Sequence, residues 1–130
     1  MNHTNTISNA YIYAIKCNKT KEIYIGSSYI PMNLRLMKHK TDFNGFMGIN
    51  KKWRNYRSSF EVMFNEDYEM FKIEELTGCQ SKQELEEREG KHILKNKYIH
   101  KDKCVNKRMP RKMKAYSLED LSDVPCPSLI

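Results

Sequence analysis

Two tyrosines, Tyr13 and Tyr24, carry side chains that could do acid–base chemistry if the chain brings them together. They lie in two short β-rich runs, Tyr11–Cys17 and Glu22–Gly26, and the polar residues 18–21 between the runs predict a turn. A phenol has an ordinary pKa of about 10, so only about one in a thousand is ionised at neutral pH. A tyrosine that takes a proton from water therefore needs a nearby positive charge to lower its pKa.

The alternation of side chains along the two strands predicts how the hairpin pairs. Ile12 opposite Ile25 and Ala14 opposite Ile23 would collect an apolar set on one face. The same register places the two tyrosines opposite each other on the other, exposed face, and a slip of one residue would scatter both sets. Aromatic residues also favour strands and pair across them without any catalytic role. The tyrosine pair is therefore either a reactive site or ordinary strand packing.

A positive charge follows the hairpin on a predicted helix, Met32–Lys40. Arg35 and His39 lie four residues apart and share one face of that helix, whereas we expect Leu34, Met37 and Leu36 to face the core. A guanidinium is permanently charged and can donate two hydrogen bonds to phosphate oxygens. The alternative for Arg35 and His39 is a solvated helix face, where such residues usually lie.

A carboxylate lies among apolar residues on the helix predicted for Ser81–Asn96, which begins with the capping pair Ser81 and Glu84. The helical stripe expected to face inward comprises Leu85, Glu89, His92 and Ile93. A buried carboxylate must be paired, hydrogen-bonded or bound to a metal ion. Glu89 is thus a candidate metal ligand, and the alternative is a salt bridge, for instance to Lys91 or Arg35.

Three further segments complete the predicted organisation. Residues 41–50 contain two glycines and two asparagines, which predict a loop. Met70–Leu76 alternates and predicts a third strand. Cys104–Pro110 is expected to be extended, with Asn106 able to cap or orient a neighbouring element.

Basic residues form two clusters, in Lys51–Phe64 and Lys107–Lys114, and the net charge of the chain is +7. The first cluster predicts a partly helical segment with Trp53 and Tyr56 packed inward. Such charge suits a polyanion such as a phosphate backbone, but an ordinary amphipathic helix or a lysine-rich composition would look the same. The candidate nucleic-acid contacts are Lys51, Lys52, Arg54, Arg57, Lys107 and Arg108.

The 130 residues predict one domain over residues 10–110, followed by a tail over 111–130 that packs weakly or is disordered. The sequence shows no membrane-spanning run and no signal peptide. The four cysteines form no CxxC pair, so free thiols in a reducing cell are the simpler interpretation than a zinc site. We therefore expect an intracellular protein.

Taken in order, these features resemble the GIY-YIG nuclease family over roughly residues 10–110. Tyr11-Ile12-Tyr13 stands where the GIY triplet would be, and Tyr24-Ile25-Gly26 matches the YIG triplet. Arg35, His39, Glu89 and Asn106 are similar to the family's helix arginine, its frequent histidine partner, its metal-binding glutamate and its closing asparagine. One departure is Tyr11, which replaces a glycine and suggests regular strand that crowds that edge of the site.

The resemblance implies a small α/β domain with a three-stranded, mainly antiparallel sheet flanked by helices. It implies an endonuclease that cuts DNA with one Mg²⁺ or Mn²⁺ ion on Glu89. Either Tyr13 or Tyr24 would be the base, with a pKa lowered by Arg35 and the metal, and His39 would relay the proton or hold a phosphate. No separate DNA-binding domain is visible in this chain, so we expect a standalone nuclease of modest specificity.

Two other functions remain open at this point, and the sequence leaves the oligomeric state open as well. The first is a non-cleaving module that binds nucleic acid on a nuclease-like fold, although binding alone does not need the full set of tyrosines, arginine, glutamate and asparagine. The second is a structural protein that is merely basic, which leaves Glu89 unexplained.

Overall fold

A computed structural model describes residues 9–48, 56–110 and 116–130. Three antiparallel strands, β1 (Tyr11–Cys17), β2 (Ile23–Ser28) and β3 (Tyr68–Glu75), form a sheet in the order β2-β1-β3. Every residue of the central strand β1 is buried. This position suits a run of aromatic and β-branched residues, which pack well on a pleated surface. The predicted three-stranded antiparallel sheet is confirmed.

The hairpin register differs from the predicted one by two residues. Ala14 lies opposite Ile25, and Tyr13 lies opposite Gly26 rather than opposite Tyr24, which faces Ile15. A shift of two residues keeps each side chain on its own face, so the apolar pattern could not distinguish the two registers. Strand β2 also continues to Ser28, beyond the predicted end at Gly26.

Helix α1 (Met32–Met47) begins as predicted but ends at Met47 rather than at Lys40. The loop predicted for residues 41–50 is therefore wrong as far as Met47, and residues 49–50 lie outside the described ranges. Ring contacts explain the extension, because Phe43 packs 5.5 Å from the ring of Phe60 and Phe46 packs 5.1 Å from it. Tertiary packing of this kind outweighs the weak local preference of asparagine and glycine against helix.

The orientation of α1 also differs from the prediction. Leu34 and Met37, which were expected to face the core, are 46% and 59% exposed, whereas His39 is buried. The helix thus turns its polar Arg35 and His39 side toward the sheet.

The second and third helices lie on opposite faces of the sheet. The short helix α2 (Phe60–Met63) contributes Val62 and Met63 to the face that carries Tyr13. Helix α3 (Lys82–His100) contributes Leu85 and Ile93 to the other face. Within the described part of the chain, no helix combines the length and the apolar character needed to cross a membrane.

The start of α3 follows the predicted capping pattern. The Ser81 hydroxyl accepts a hydrogen bond from the Glu84 backbone N–H at 3.0 Å, which satisfies a donor that the first turn leaves free. The Glu84 carboxylate accepts from the Gln80 N–H at 3.2 Å rather than from that of Ser81. The cap fixes the helix that carries Glu89.

The tail was expected to pack weakly or to be disordered, but its described part, residues 116–130, lies against α3. Leu121 and Val124 are buried, and Lys95 of α3 donates to the Leu121 carbonyl at 3.0 Å. Arg88 of α3 reaches the Asp123 carboxylate at 3.3 Å. The two apolar side chains give this segment a core contact that its acidic, proline-containing composition did not indicate.

Candidate active site

Tyr13 lies at the centre of a buried polar cluster under α1. Its side chain is fully buried, and its hydroxyl lies 2.6 Å from Nε2 of His39. The expected exposed tyrosine face is therefore wrong, because α1 covers it. The solvated alternative for His39 is equally wrong, since that residue is 4% exposed. The four-residue spacing of Arg35 and His39 does place both on the sheet side of the helix.

Tyr24 shares this face of the sheet although it does not lie opposite Tyr13. The rings of Tyr13 and Tyr24 lie 6.4 Å apart, and His39 packs edge-on to both, at 5.6 Å and 5.8 Å respectively. The guanidinium of Arg35 lies 5.9 Å from the centre of the Tyr13 ring. Two phenols, one imidazole and one guanidinium thus form a single cluster.

Burial dominates the electrostatics of the cluster. It raises the pKa of Tyr13, and the neighbouring Tyr24 adds to the rise, whereas Arg35 lowers this pKa without cancelling the rise. Burial likewise raises the pKa of Tyr24 to about 12, with Glu89 adding to the rise and Arg35 and Arg57 opposing it. Arg35 was expected to lower the tyrosine pKa values, but in the protein alone both are raised. The loss of hydration destabilises the phenolate by more than the nearby guanidinium stabilises it.

The imidazole of His39 is neutral at physiological pH. Burial, together with the positive charges of Arg35 and Arg57, lowers the pKa of His39 to about 3. A neutral imidazole can accept a proton or a hydrogen bond on one nitrogen. The 2.6 Å contact therefore joins a protonated phenol to a neutral ring that has one free lone pair to share.

A cleft of about 810 Å³ opens beside this cluster. Tyr24 from β2 and Glu89 from α3 both line it, while Tyr13 does not. Tyr24 is partly exposed, in contrast to the fully buried Tyr13. The two tyrosines thus differ in access to solvent, a distinction that the sequence did not make.

Glu89 accepts a hydrogen bond from the Ser27 hydroxyl. Burial raises the pKa of the Glu89 carboxyl, the Ser27 hydrogen bond lowers it, and the negative charge of Glu86 raises it further. Sequence reasoning missed Ser27 because it ended β2 at Gly26. Extending the strand by one residue would have put Ser27 on the same face as Ile23 and Ile25, which is the α3 side.

Asn106 extends the sheet edge with its side chain. Its amide oxygen accepts from the Ile25 N–H at 2.9 Å, and its amide nitrogen donates to the Ile25 carbonyl at 2.8 Å. The preceding residue, Val105, donates its N–H to the Ile23 carbonyl at 2.9 Å. Asn106 thus holds the middle of β2, between Tyr24 and Gly26, and also lines the cleft.

Cationic residues border the same cleft. Arg57, Lys107 and Arg108 line it and are exposed. Lys107 lies 5.4 Å over the ring of Tyr56, which is 41% exposed rather than packed inward as predicted. The other candidate nucleic-acid contacts, Lys51, Lys52 and Arg54, and also Trp53, lie outside the described residues.

The donor chemistry at Glu89 fits a hard divalent cation. A carboxylate is the oxygen ligand that Mg²⁺ prefers, and this ion commonly keeps several of its waters and uses only one or two protein carboxylates. Glu89 offers one such carboxylate at an open cleft that Tyr24 also lines. Among the described residues, no group of three His, Cys, Asp or Glu side chains converges.

Tyr24, Glu89 and exposed cations line one cleft of this small α/β domain, a combination suited to holding a phosphate ester. The comparison with family models agrees, since the model of the GIY-YIG catalytic domain matches residues 9–104. The chain therefore belongs to the GIY-YIG family, which is a family of nucleases, and the resemblance stated from its motifs is confirmed. No curated protein and no solved structure matches the chain significantly.

Proposed function

We propose that the chain is a metal-dependent endonuclease that hydrolyses DNA phosphodiester bonds. The observation that carries the proposal is the shared cleft, which brings Tyr24 and Glu89 together although they are 65 residues apart (89 − 24). The exposed cations Arg57, Lys107 and Arg108 at its border supply the charge that a polyanionic backbone requires.

Glu89 would hold Mg²⁺ or Mn²⁺. When bound, such an ion relieves charge on the phosphoryl oxygens and on the leaving oxygen. The Ser27 hydrogen bond holds the carboxylate at the cleft wall before any ligand arrives. Because burial raises the pKa of Glu89, a proton competes for the same oxygens as the cation.

Tyr24 is our choice for the residue that contacts the attacking water. It borders the cleft, whereas Tyr13 is fully buried and has its hydroxyl committed to His39. With a pKa of about 12, Tyr24 is protonated in the unliganded protein, and the positive charges of Arg35 and Arg57 already favour its ionised form. Tyr13 and neutral His39 pack behind Tyr24, with their rings 6.4 Å and 5.8 Å from the Tyr24 ring, and would support it.

Arg35 would bind the phosphate from the α1 side. Its guanidinium lies 5.9 Å from the centre of the Tyr13 ring and lowers the pKa values of both phenols. Because Tyr24 lines the cleft, the positive charge of Arg35 acts on the cleft in which the substrate would bind. Arginine suits this task because its charge is permanent and its planar group can donate to two oxygens.

A plasmid assay tests the proposal. Supercoiled plasmid incubated with the protein and Mg²⁺ or Mn²⁺ should be nicked or linearised, and EDTA should stop the reaction. Binding of a labelled duplex should be measured in parallel by fluorescence anisotropy. Binding without cleavage at any divalent metal concentration would favour the non-cleaving module and overturn the proposal.

A further inference from the structure

Tyr11, which stands in place of the glycine of the GIY triplet, contacts the backbone just before α1 through its hydroxyl. It is 1% exposed and opens strand β1 opposite Ser28. Its side chain does not line the cleft, so it does not crowd the opening as the sequence suggested. Its pairing with β3 is not fully regular either, because the register with β3 shifts between Ile12 and Tyr13.

The Tyr11 hydroxyl donates a 2.7 Å hydrogen bond to the carbonyl of Ile30. Ile30 directly precedes Pro31, the N-cap residue of α1, whose carbonyl accepts from the N–H groups of Leu34 and Arg35 at 3.0 Å each. The other backbone group of Ile30, its N–H, donates to the Ser28 hydroxyl at 3.2 Å. Both polar backbone groups of the last residue before the cap are thus tied to side chains of the sheet.

The ring of Tyr11 is also packed against its neighbours. It packs 6.0 Å from the Tyr13 ring, and the ammonium of Lys72 on β3 lies 5.0 Å over its face. A glycine here would leave the volume of this ring empty and would offer no donor to Ile30. The tether therefore depends on the departure from the family motif.

The two hydrogen bonds to Ile30 affect the site because the angle at which α1 begins sets the position of His39. His39 lies about 12 Å along the helix axis from Pro31, at about 1.5 Å per residue. A tilt of about 5° at the start of the helix would move the imidazole by about 1 Å over that length. A shift of that size would break the 2.6 Å contact with Tyr13, because a hydrogen bond weakens steeply beyond its normal range.

We propose that Tyr11 is a positioning residue that sets the angle of α1 and so brings His39 and Arg35 to Tyr13. Its consequence for cleavage rests on the function proposed above, whereas its consequence for His39 does not. An ordinary core tyrosine would also satisfy its hydroxyl, but the acceptor here is the carbonyl immediately before the helix cap.

Tyr11→Phe tests the proposal because it keeps the ring and deletes only the hydroxyl. Tyr98→Phe is the matched control, since the Tyr98 hydroxyl also donates to a backbone carbonyl, that of Tyr116, at 2.7 Å and lies on α3. Ser28→Ala removes the other tie to Ile30 and serves as a second test variant. The first readout is the pair of ¹⁵N shifts of the His39 ring nitrogens, assigned with His39→Gln, which report the hydrogen bond at Nε2.

The expected result is that Tyr11→Phe changes the His39 shifts toward those of an imidazole free of Tyr13, that Ser28→Ala does so to a smaller extent, and that Tyr98→Phe does not. In the cleavage assay, kcat of Tyr11→Phe should fall by about 10- to 100-fold while KM changes little. Wild-type His39 shifts in Tyr11→Phe would overturn the positioning role even if cleavage is confirmed. A wild-type protein that does not cut would remove the proposed function and leave the His39 test intact.

Discussion

Tyr13 packs its phenol ring directly over the backbone of Gly26, its partner across the hairpin. A Cβ atom placed on Gly26 would lie 2.4 Å from both Cζ and Oη of Tyr13. Real side chains do not approach so closely, so the last position of the YIG triplet must lack a side chain for Tyr13 to reach His39. The two triplets of the family motif therefore meet as one contact, in which the glycine of one makes room for the tyrosine of the other.

The first prediction concerns this contact. Gly26→Ala should displace the Tyr13 ring, which is fully buried and has little room to move, at a cost of about 1–3 kcal/mol in the free energy of unfolding. Cleavage should fall with it because the Tyr13–His39 hydrogen bond is broken. Gly78→Ala is the control: Gly78 has a φ of +77° but open space around it, so the variant should lose stability without losing activity per folded molecule. Urea unfolding and plasmid cleavage measure the two effects.

The second prediction separates the two tyrosines. Tyr24 lines the cleft, so Tyr24→Phe should reduce kcat by about 10²-fold or more if its hydroxyl contacts the attacking water as we propose. Tyr13→Phe should reduce kcat less, since its hydroxyl acts through His39, and it should also lower stability because the buried His39 nitrogen loses its partner. Single-turnover cleavage and urea unfolding of both variants decide the order. The reverse order of losses would assign the water to Tyr13, and full activity in both would exclude a phenol mechanism.

The third prediction concerns Glu89. Glu89→Gln keeps the shape and can still accept from Ser27 but loses the charge, so it should bind duplex DNA at least as well as the wild type and cut very poorly at any Mg²⁺ concentration. Because burial raises the pKa of Glu89, the ionised carboxylate destabilises the folded protein above that pKa. The glutamine variant should therefore be more stable at neutral pH, and this gain should vanish as the pH falls and the wild-type carboxyl becomes protonated.

Glu87→Gln and Glu86→Gln are the controls for that experiment. Glu87 lies on the same helix, is exposed and does not line the cleft, and Glu86 is off the inward stripe. Both variants should cut at nearly the wild-type rate. Equal losses in all three would point to a general effect of acidic charge on α3, and normal cutting by Glu89→Gln would remove the metal assignment.

The fourth prediction follows from the neutral state of His39. Its pKa is about 3 in the folded protein and about 6.5 in the unfolded chain, so only the unfolded chain takes up this proton between those values. The stability contributed by neutral His39 is therefore complete above about pH 6.5 and falls as the pH drops toward 3, by up to about 1.4 kcal/mol per pH unit. His39→Gln should remove this part of the slope in urea unfolding measured from pH 7 to pH 4. Parallel curves for wild type and variant would contradict the buried neutral state.

The fifth prediction concerns DNA binding at the cleft border. Arg57→Ala combined with Lys107→Ala should weaken duplex binding and should reduce the magnitude of the log–log salt slope by about 0.9 for each phosphate that the protein no longer neutralises. Lys19→Ala with Lys82→Ala removes the same charge from exposed sites away from the cleft and should leave the slope unchanged. Equal changes in both double variants would mean that net charge alone, and no defined border, attracts the DNA.

Local rules sufficed for several elements because the responsible interactions lie close together in the chain. Neighbours within a few residues predict the start of α1 and the Ser81 cap. The alternation of side chains along a strand places Ile12 and Ala14 on one face with Ile25. The hairpin register did not follow, because the longer connection, which includes Lys21 at a φ of 65°, moved the strands by two residues without changing any face.

Contacts between distant segments decided the remaining features. Helix α1 continues past the glycine and asparagine that predicted a loop, because the rings of Phe43 and Phe46 pack against Phe60, which lies in another segment. The C-terminal segment packs with Leu121 and Val124 buried and with the Leu121 carbonyl accepting from Lys95 of α3, contacts that no local pattern of the tail reveals.

The sequence by itself determined the family, the sheet and the residue types of the candidate site, since these depend on local periodicity and on motif residues in order. Only the tertiary structure decided that Tyr13 is buried against His39 while Tyr24 borders the cleft beside Glu89. Access to solvent and the pKa values depend on which helix covers which side chain. In this protein α1 turns Arg35 and His39 inward and leaves Leu34 and Met37 exposed, the reverse of what their polarity predicts.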